Sequence, residues 1–341
     1  MRTIPRKWTL LCTWSLVIAL AALACKDSVS SPSSDRTTSL AARNRAMDVT
    51  AFTQEVCGVI TATVVITENT RLSCDVRCVN ATGPCIQFGD DNITLWLNGF
   101  TMSGTASPPA NCVPSPAFGP APNPGPFPYD GISTAGHDHV RIRGPGMVQT
   151  FRRHGLFMLE TEDAIIEGVT SHHNCYSGIL MAFSHDNRIS ENVSVRNGSA
   201  SGGAPCGGNC VINSNGNHIR RNHFHGNGSV VVGAPLGTPN DFGVGLVGTS
   251  SDNTVEENSI GGNINGILLF PLTTGNLIRH NLIAGNPPVQ VAATAGTPVG
   301  VDIRDASAPG ANTFTENHCI TYEGASTPRP CPNFPRAKGH N

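Results

Sequence analysis

Lysine is almost missing from this 341-residue chain: none occurs between Lys26 and Lys338, and charged residues together make up 13% of it. That is about half the usual share. With a net charge of -2, no basic cluster remains of the kind a nucleic-acid partner requires. The chain also lacks, across its asparagine-rich middle, apolar residues spaced three and four apart, which argues against helices there. Metal patterns are missing too. Cys206 and Cys210 have no second ligand pair nearby at zinc spacing, and no aspartate-rich group joins Glu256 and Glu257 to hold calcium. No cofactor motif occurs, so neither a cofactor nor a metal is expected.

What the chain does have is a repeat. Asparagines fall five residues apart in NRISENVSVRN (Asn187 to Asn197), NHIRRNHFHGN (Asn217 to Asn227), NTVEENSIGGN (Asn253 to Asn263), NLIRHNLIAGN (Asn276 to Asn286) and NTFTEN (Asn312 to Asn317). Two positions after each first asparagine stands an apolar residue: Ile189, Ile219, Val255, Ile278 and Phe314. One inward β-residue between two corners fits this spacing. Asparagine suits a corner because it tolerates left-handed dihedrals, and amides recurring coil after coil can stack into ladders about 4.8 Å apart. The uninterrupted period is 23 residues, from Asn253 to Asn276. Self-similarity of this kind indicates stacked supersecondary units.

A glycine or cysteine followed by an aliphatic residue precedes each unit, at Gly131-Ile132, Gly155-Leu156, Gly178-Ile179, Cys210-Val211, Gly245-Leu246, Gly266-Ile267 and Gly300-Val301. These read as the first strand of each coil. The fold class is therefore all-β: a parallel β-helix of about ten coils, with three short strands per coil.

Residues 1–25 read as a secretory signal, with Arg2, Arg6 and Lys7 before an uncharged stretch. Ala22-Leu23-Ala24-Cys25 resembles a bacterial lipobox, in which Cys25 would be lipidated; an ordinary A-x-A cleavage fits the same residues. Residues 26–50 read as a flexible tether, and residues 51–341 as the β-helix. The expected location is the outer membrane or cell surface, or else the periplasm or medium. Any membrane contact is expected only through the lipid. Ten cysteines follow Cys25, an even number in an exported chain, so disulfides are expected. Short separations suggest Cys57 with Cys74, Cys78 with Cys85, Cys206 with Cys210 and Cys319 with Cys331.

The phrases CGVITATVVITENTRLSC and DDNITLWLNGFTMSG, between Cys57 and Gly104, resemble the opening coils of bacterial right-handed parallel β-helix repeat proteins, of the pectate-lyase-like superfold. Trp96 and Phe100 stand where that family often has Asp and His. The resemblance implies a fold and leaves activity open, because β-helices host lyases, hydrolases, epimerases and adhesins. Similar mannuronan epimerases carry a DPHD site, and none occurs here. Insertions at 105–129, 198–209, 228–241 and 287–298 fall at one point of the repeat, which would line them along one edge. Insertions on one face often mark a binding surface.

Three groups of residues are candidates for function. Alternation places Phe157, Leu180, Ile212 and Leu268 on the outside of the first strands as an apolar stripe, either covered by the edge loops or open to a ligand. Glu191, Arg221, Glu257, His280 and Glu316 alternate in charge up one column, which suits ion pairs between coils. The most crowded stretch holds Asp130, His137, Asp138, Arg152, His154 and His172, where imidazoles and carboxylates could serve as general acid and base on a sugar; the alternative is a polar solvent face. The expected function is an exported surface protein contacting extracellular polysaccharide. A polysaccharide lyase, hydrolase or epimerase and a plain surface scaffold are the competing classes.

Overall fold

The computed structural model describes residues 52–79, 83–105, 130–198, 207–228, 241–286 and 301–331, which fall in the unit Thr50–Asn341. The signal, Cys25 and the tether lie outside the described residues. So do the four insertions, apart from their ends.

Among the described residues twenty-five short strands form a fifteen-stranded and a ten-stranded sheet. Pairings are parallel and join successive coils, as in Asn209–Ile212 with Phe242–Val247 and then Asn265–Leu269. A typical coil runs from such a strand in the ten-stranded sheet to two strands of the other, for example His218–Arg220 and His223–His225. The molecule is a right-handed parallel β-helix with ten rungs in its ten-stranded sheet. Its core is the inward column from every strand. Ile189, Ile219, Val255 and Ile278 are fully buried in one wall, and Leu156, Ile179, Val244, Ile267 and Ile303 in another.

The asparagines form three internal ladders. The first runs Asn187, Asn217, Asn253, Asn276, Asn312. The second runs Asn192, Asn222, Asn258, Asn281, Asn317. The third runs Asn174, Asn197, Asn227, Asn263, Asn286 and ends on Asp302. Each Nδ2 donates to the next side-chain oxygen at 2.8–3.2 Å. Each oxygen also accepts a backbone N–H of the preceding coil, as Asn217 Oδ1 does from Asn187. The ladders thus satisfy corner peptide groups that no strand reaches.

The left-handed conformation belongs to the residue before each ladder asparagine except Asn312, which corrects the expectation from the sequence. Asp186, Glu191, Arg196, Asp252, Glu257, His280 and Glu316 have φ between 52 and 57°. The preceding residue turns outward, where charge is hydrated, so the asparagine can turn in.

A second correction concerns register. Ile179 pairs with Asn209, Asn209 with Val244, Val244 with Ile267, and Ile267 with Ile303. Cys210-Val211 and Gly245-Leu246 therefore sit two residues further along their coils than the repeat suggested, and Gly300-Val301 two residues too early. The true glycine column is Gly131, Gly155, Gly178, Gly208, Gly243 and Gly266. A Cβ on any of these would lie 2.3–2.9 Å from the next coil's carbonyl oxygen, which is why glycine is required there.

Disulfides join Cys57 with Cys74, Cys78 with Cys85, and Cys319 with Cys331. The expected Cys206 to Cys210 bridge is not made. Cys210 is a buried thiol, because the register sends it outward against Leu180 and Gly245. Cys175 is also disulfide-bonded.

Candidate functional site

Immediately before the glycine column, successive coils present Asp130, His154 and Ser177, with His154 and Ser177 in register. All three are buried. Asp130 Oδ1 accepts the His154 backbone N–H at 3.0 Å, while its Oδ2, buried as well, has no hydrogen-bond partner. The nearest cation is Arg153, with Nη1 at 3.9 Å. Burial drives the Asp130 carboxyl up to about 7, against the downward pull of Arg153 and the His154 amide. Burial, aided by Arg153, holds His154 well below the usual histidine range. Near neutrality the pair is thus an uncharged imidazole beside a carboxyl that can give up its proton.

The histidine's tautomer follows from its neighbours. Arg153 Nη2 lies 3.4 Å from His154 Nε2, and a guanidinium can only donate, so Nε2 accepts and Nδ1 carries the hydrogen. That hydrogen points to Ser177 Oγ at 2.7 Å. His154 therefore cannot take a proton from Ser177, and the Asp130–His154–Ser177 column is not a nucleophilic triad. The imidazole also packs on Phe157 and Tyr176, with centroids 5.7 and 6.0 Å apart.

Asp130 opens onto a cleft walled by Cys78, Cys85, Gly104, Thr105, Phe151 and Arg152. The cleft lies where the chain leaves for the 105–129 insertion and returns. The 198–209, 228–241 and 287–298 insertions depart from the same corner of later coils, after Asn197, Asn227 and Asn286 of the third ladder.

The six residues of the crowded stretch separate into three places. Asp130 and Arg152 line the cleft, with His154 buried beside Asp130. His137 and Asp138 lie past the strand Ile132–Ser133, at the opposite corner. There His137 Nδ1 meets Asp91 at 3.0 Å and Asp138 Oδ1 accepts the Glu162 N–H at 2.7 Å. His172 ends the strand Ile165–His172 with its Nδ1 2.8 Å from that of His173; burial and the His173 and Arg196 charges lower its pKa.

Of the apolar stripe, Phe157, Leu180 and Leu268 are buried with Phe242, Tyr176 and Cys210 in a layer outside the ten-stranded sheet, and Ile212 is half-buried at its edge. In register, Ile212 follows Ala182. The charged column pairs across coils, Arg221 with Glu257 at 2.6 Å and His280 with Glu316 at 3.2 Å.

Sequence reasoning passed over Ser177 as part of this cluster, whereas Arg153 stands within the crowded stretch. The available signal was position, since Asp130, His154 and Ser177 each precede a glycine of the repeat.

Residues 130–325 match the protein family described as "Right handed beta helix region". No curated protein sequence matches the chain. Among solved structures it is similar to the Dettilon tailspike protein gp208, at a TM-score of 0.54 and 15% identity over 80% of this chain and 61% of that one. It is also similar to a DFA-IIIase from Arthrobacter chlorophenolicus A6 solved without its lid, at 0.51 and 13% over 77% and 70%. A double mutant of the periplasmic alginate epimerase AlgG follows at 0.49 and 16%, over 79% and 60%. The chain thus spans only 61% of the tailspike and 60% of the epimerase. Likeness at such identities speaks for the fold alone.

Proposed function

Because this chain belongs to the right-handed beta helix family, we propose that it is an exported protein that contacts extracellular polysaccharide, and that the Asp130 cleft is where it does so. One observation carries the reading. Asp130 Oδ2 is buried without a hydrogen-bond partner, beside a cleft that Arg152 also lines. An unmet buried carboxyl oxygen destabilises a fold, by about 1–3 kcal/mol, and such groups concentrate where a ligand completes them. A sugar hydroxyl in the cleft would do so, with Arg152 beside it to meet an acidic substituent. Disulfides at three described pairs accord with an oxidising compartment outside the cytoplasm. Lipidation at Cys25 remains part of the proposal, as does an apolar docking role for Phe157, Leu180, Ile212 and Leu268.

A polysaccharide-active enzyme is the second reading, and the opposite displacement of the Asp130 and His154 pKa values favours it. In that reading protonated Asp130 delivers its proton to the leaving oxygen of a glycosidic bond while water adds to the sugar carbon that loses it, Arg153 stabilises the carboxylate left behind, and the proton shed by that water restores Asp130. His137, Asp138 and His172 take part only as glycan contacts at other points of the surface.

The test is a panel of purified polysaccharides, scored for retention of the protein and for a change in polymer mass. Retention that falls at least tenfold in Asp130→Asn supports the binding site, and a mass change lost in the same variant makes it an enzyme. Retention of no polysaccharide, or retention indifferent to Asp130 and Arg152, would overturn the assignment.

A further inference from the structure

The outer face of the fifteen-stranded sheet carries a charged column of its own, distinct from the corner column described above. In register order it reads Arg143, Glu167, Ser190, Arg220, Glu256, Arg279. Charges pair at both ends. Arg143 lies 3.9 Å from Glu167, and Arg279 reaches Glu256 at 2.7 Å. Glu256 also holds His218 at 2.7 Å, so both of its oxygens are engaged.

The alternation fails in the middle, where Ser190 stands in place of an acid and Arg220 is left over. Ser190 is 1% exposed, yet its Oγ has no hydrogen-bond partner, and neither has the buried Nε of Arg220. The two residues face each other on adjacent rungs, about 4.8 Å apart. Arg188, two residues before Ser190 on the same strand, projects from the same face by alternation, diagonally across from Arg220. Diagonal neighbours lie about 7–8 Å apart, a gap that two arginine side chains span. No ion pair engages Arg188 or Arg220 among the described residues.

We infer that Arg188, Ser190 and Arg220 form a binding site for a tetrahedral oxyanion of the sulfate-ester type. The surroundings fit an anion. Of the nearby carboxylates, Glu167 and Glu256 are neutralised as above, and Glu257 pairs with Arg221. Glu191, on the adjoining corner, acts on Arg221. Ile165 and Thr254 close the column of Arg188 and His218 on either side. The register groups three donors on one face: two guanidinium forks and a hydroxyl. A carboxylate offers its two oxygens along one edge, which one arginine fork already satisfies. A sulfate group presents separate oxygens to all three, and satisfies both buried atoms that the protein leaves unmet. The site stands on the sheet face and needs nothing from the Asp130 cleft.

The experiment follows the Arg220 Nε–H resonance of the full chain by NMR while inorganic sulfate is added at constant ionic strength, with chloride as the control. Sulfate is expected to shift it saturably at millimolar concentration. Arg188→Met with Arg220→Lys should weaken binding at least tenfold, and Ser190→Ala should weaken it severalfold. A second arm compares a sulfated oligosaccharide with its desulfated parent. Tighter binding of the sulfated sugar identifies a glycan sulfate as the ligand, and binding of inorganic sulfate alone identifies the free anion; both uphold the site. A resonance that chloride shifts equally, or sulfate binding unchanged in the Ser190→Ala and double variants, would overturn it. Asp130→Asn should leave the titration unchanged, which separates this site from the cleft.

Discussion

Replacing Asn258 by alanine should show how much of the β-helix rests on its amide ladders. The Asn258 side chain makes four hydrogen bonds. Its Oδ1 accepts from the backbone N and the Nδ2 of Asn222 at 2.8 and 3.0 Å. Its Nδ2 donates to Ile219 O and Asn281 Oδ1 at 2.9 and 3.0 Å. A net bond is worth about 1 kcal/mol, and a buried group left unpaired costs about 1–3 kcal/mol. The Asn222 N–H loses its acceptor in the variant, and the site is too buried for water to enter without moving a coil. The expected loss is about 3–5 kcal/mol, measured by urea unfolding. Because coils contact only their neighbours, hydrogen exchange should rise first around Asn222 and Asn281. The adjacent Glu257→Ala is the internal reference. Its pair with Arg221 is exposed, so the loss should stay below about 1 kcal/mol. An Asn258→Ala loss no larger than that of Glu257→Ala would refute the reasoning.

Other outcomes follow from single residues. Asp130 and His154 act oppositely on stability. Just below pH 6.5 the folded pair holds its proton on Asp130 and the unfolded pair holds one on histidine, so their opposite contributions offset each other. From there to about pH 7 only the folded state keeps a proton, and stability falls as pH rises. Asp130→Asn removes one side of this balance, so its melting temperature should gain on the parent's between pH 4 and 7 and keep that lead above, as calorimetry would show. Phe183 is half exposed with φ of 51°, a conformation that disfavours large side chains. Phe183→Gly should therefore raise stability by about 0.5–1 kcal/mol in urea unfolding.

The fold was readable because its stabilising groups repeat. A ladder needs one amide per coil at a fixed offset, so Asn187, Asn192 and Asn197 announce themselves by spacing. Insertions obscured the rest. The unequal lengths before Cys210 and Gly245 hid a two-residue displacement, and with it the fate of Cys210. The site was legible only in part, since Asp130 and His154 stood out as titratable groups, whereas Ser177 and Arg153 gain meaning when one coil lies upon the next. Ser190 and Arg220 were less visible still. Nothing in one coil says that the acid needed to match Arg220 is absent from the neighbouring coil.

The central claim is that a polysaccharide completes the buried carboxyl of Asp130. Carbon-detected NMR of the carboxyl groups, with Asp130 assigned by its loss in Asp130→Asn, measures this directly. The account predicts a titration midpoint near 7 in the free protein that moves when a retained glycan fragment is added. A midpoint near 4, as for an ordinary carboxyl, or one that every retained glycan leaves in place, would contradict it.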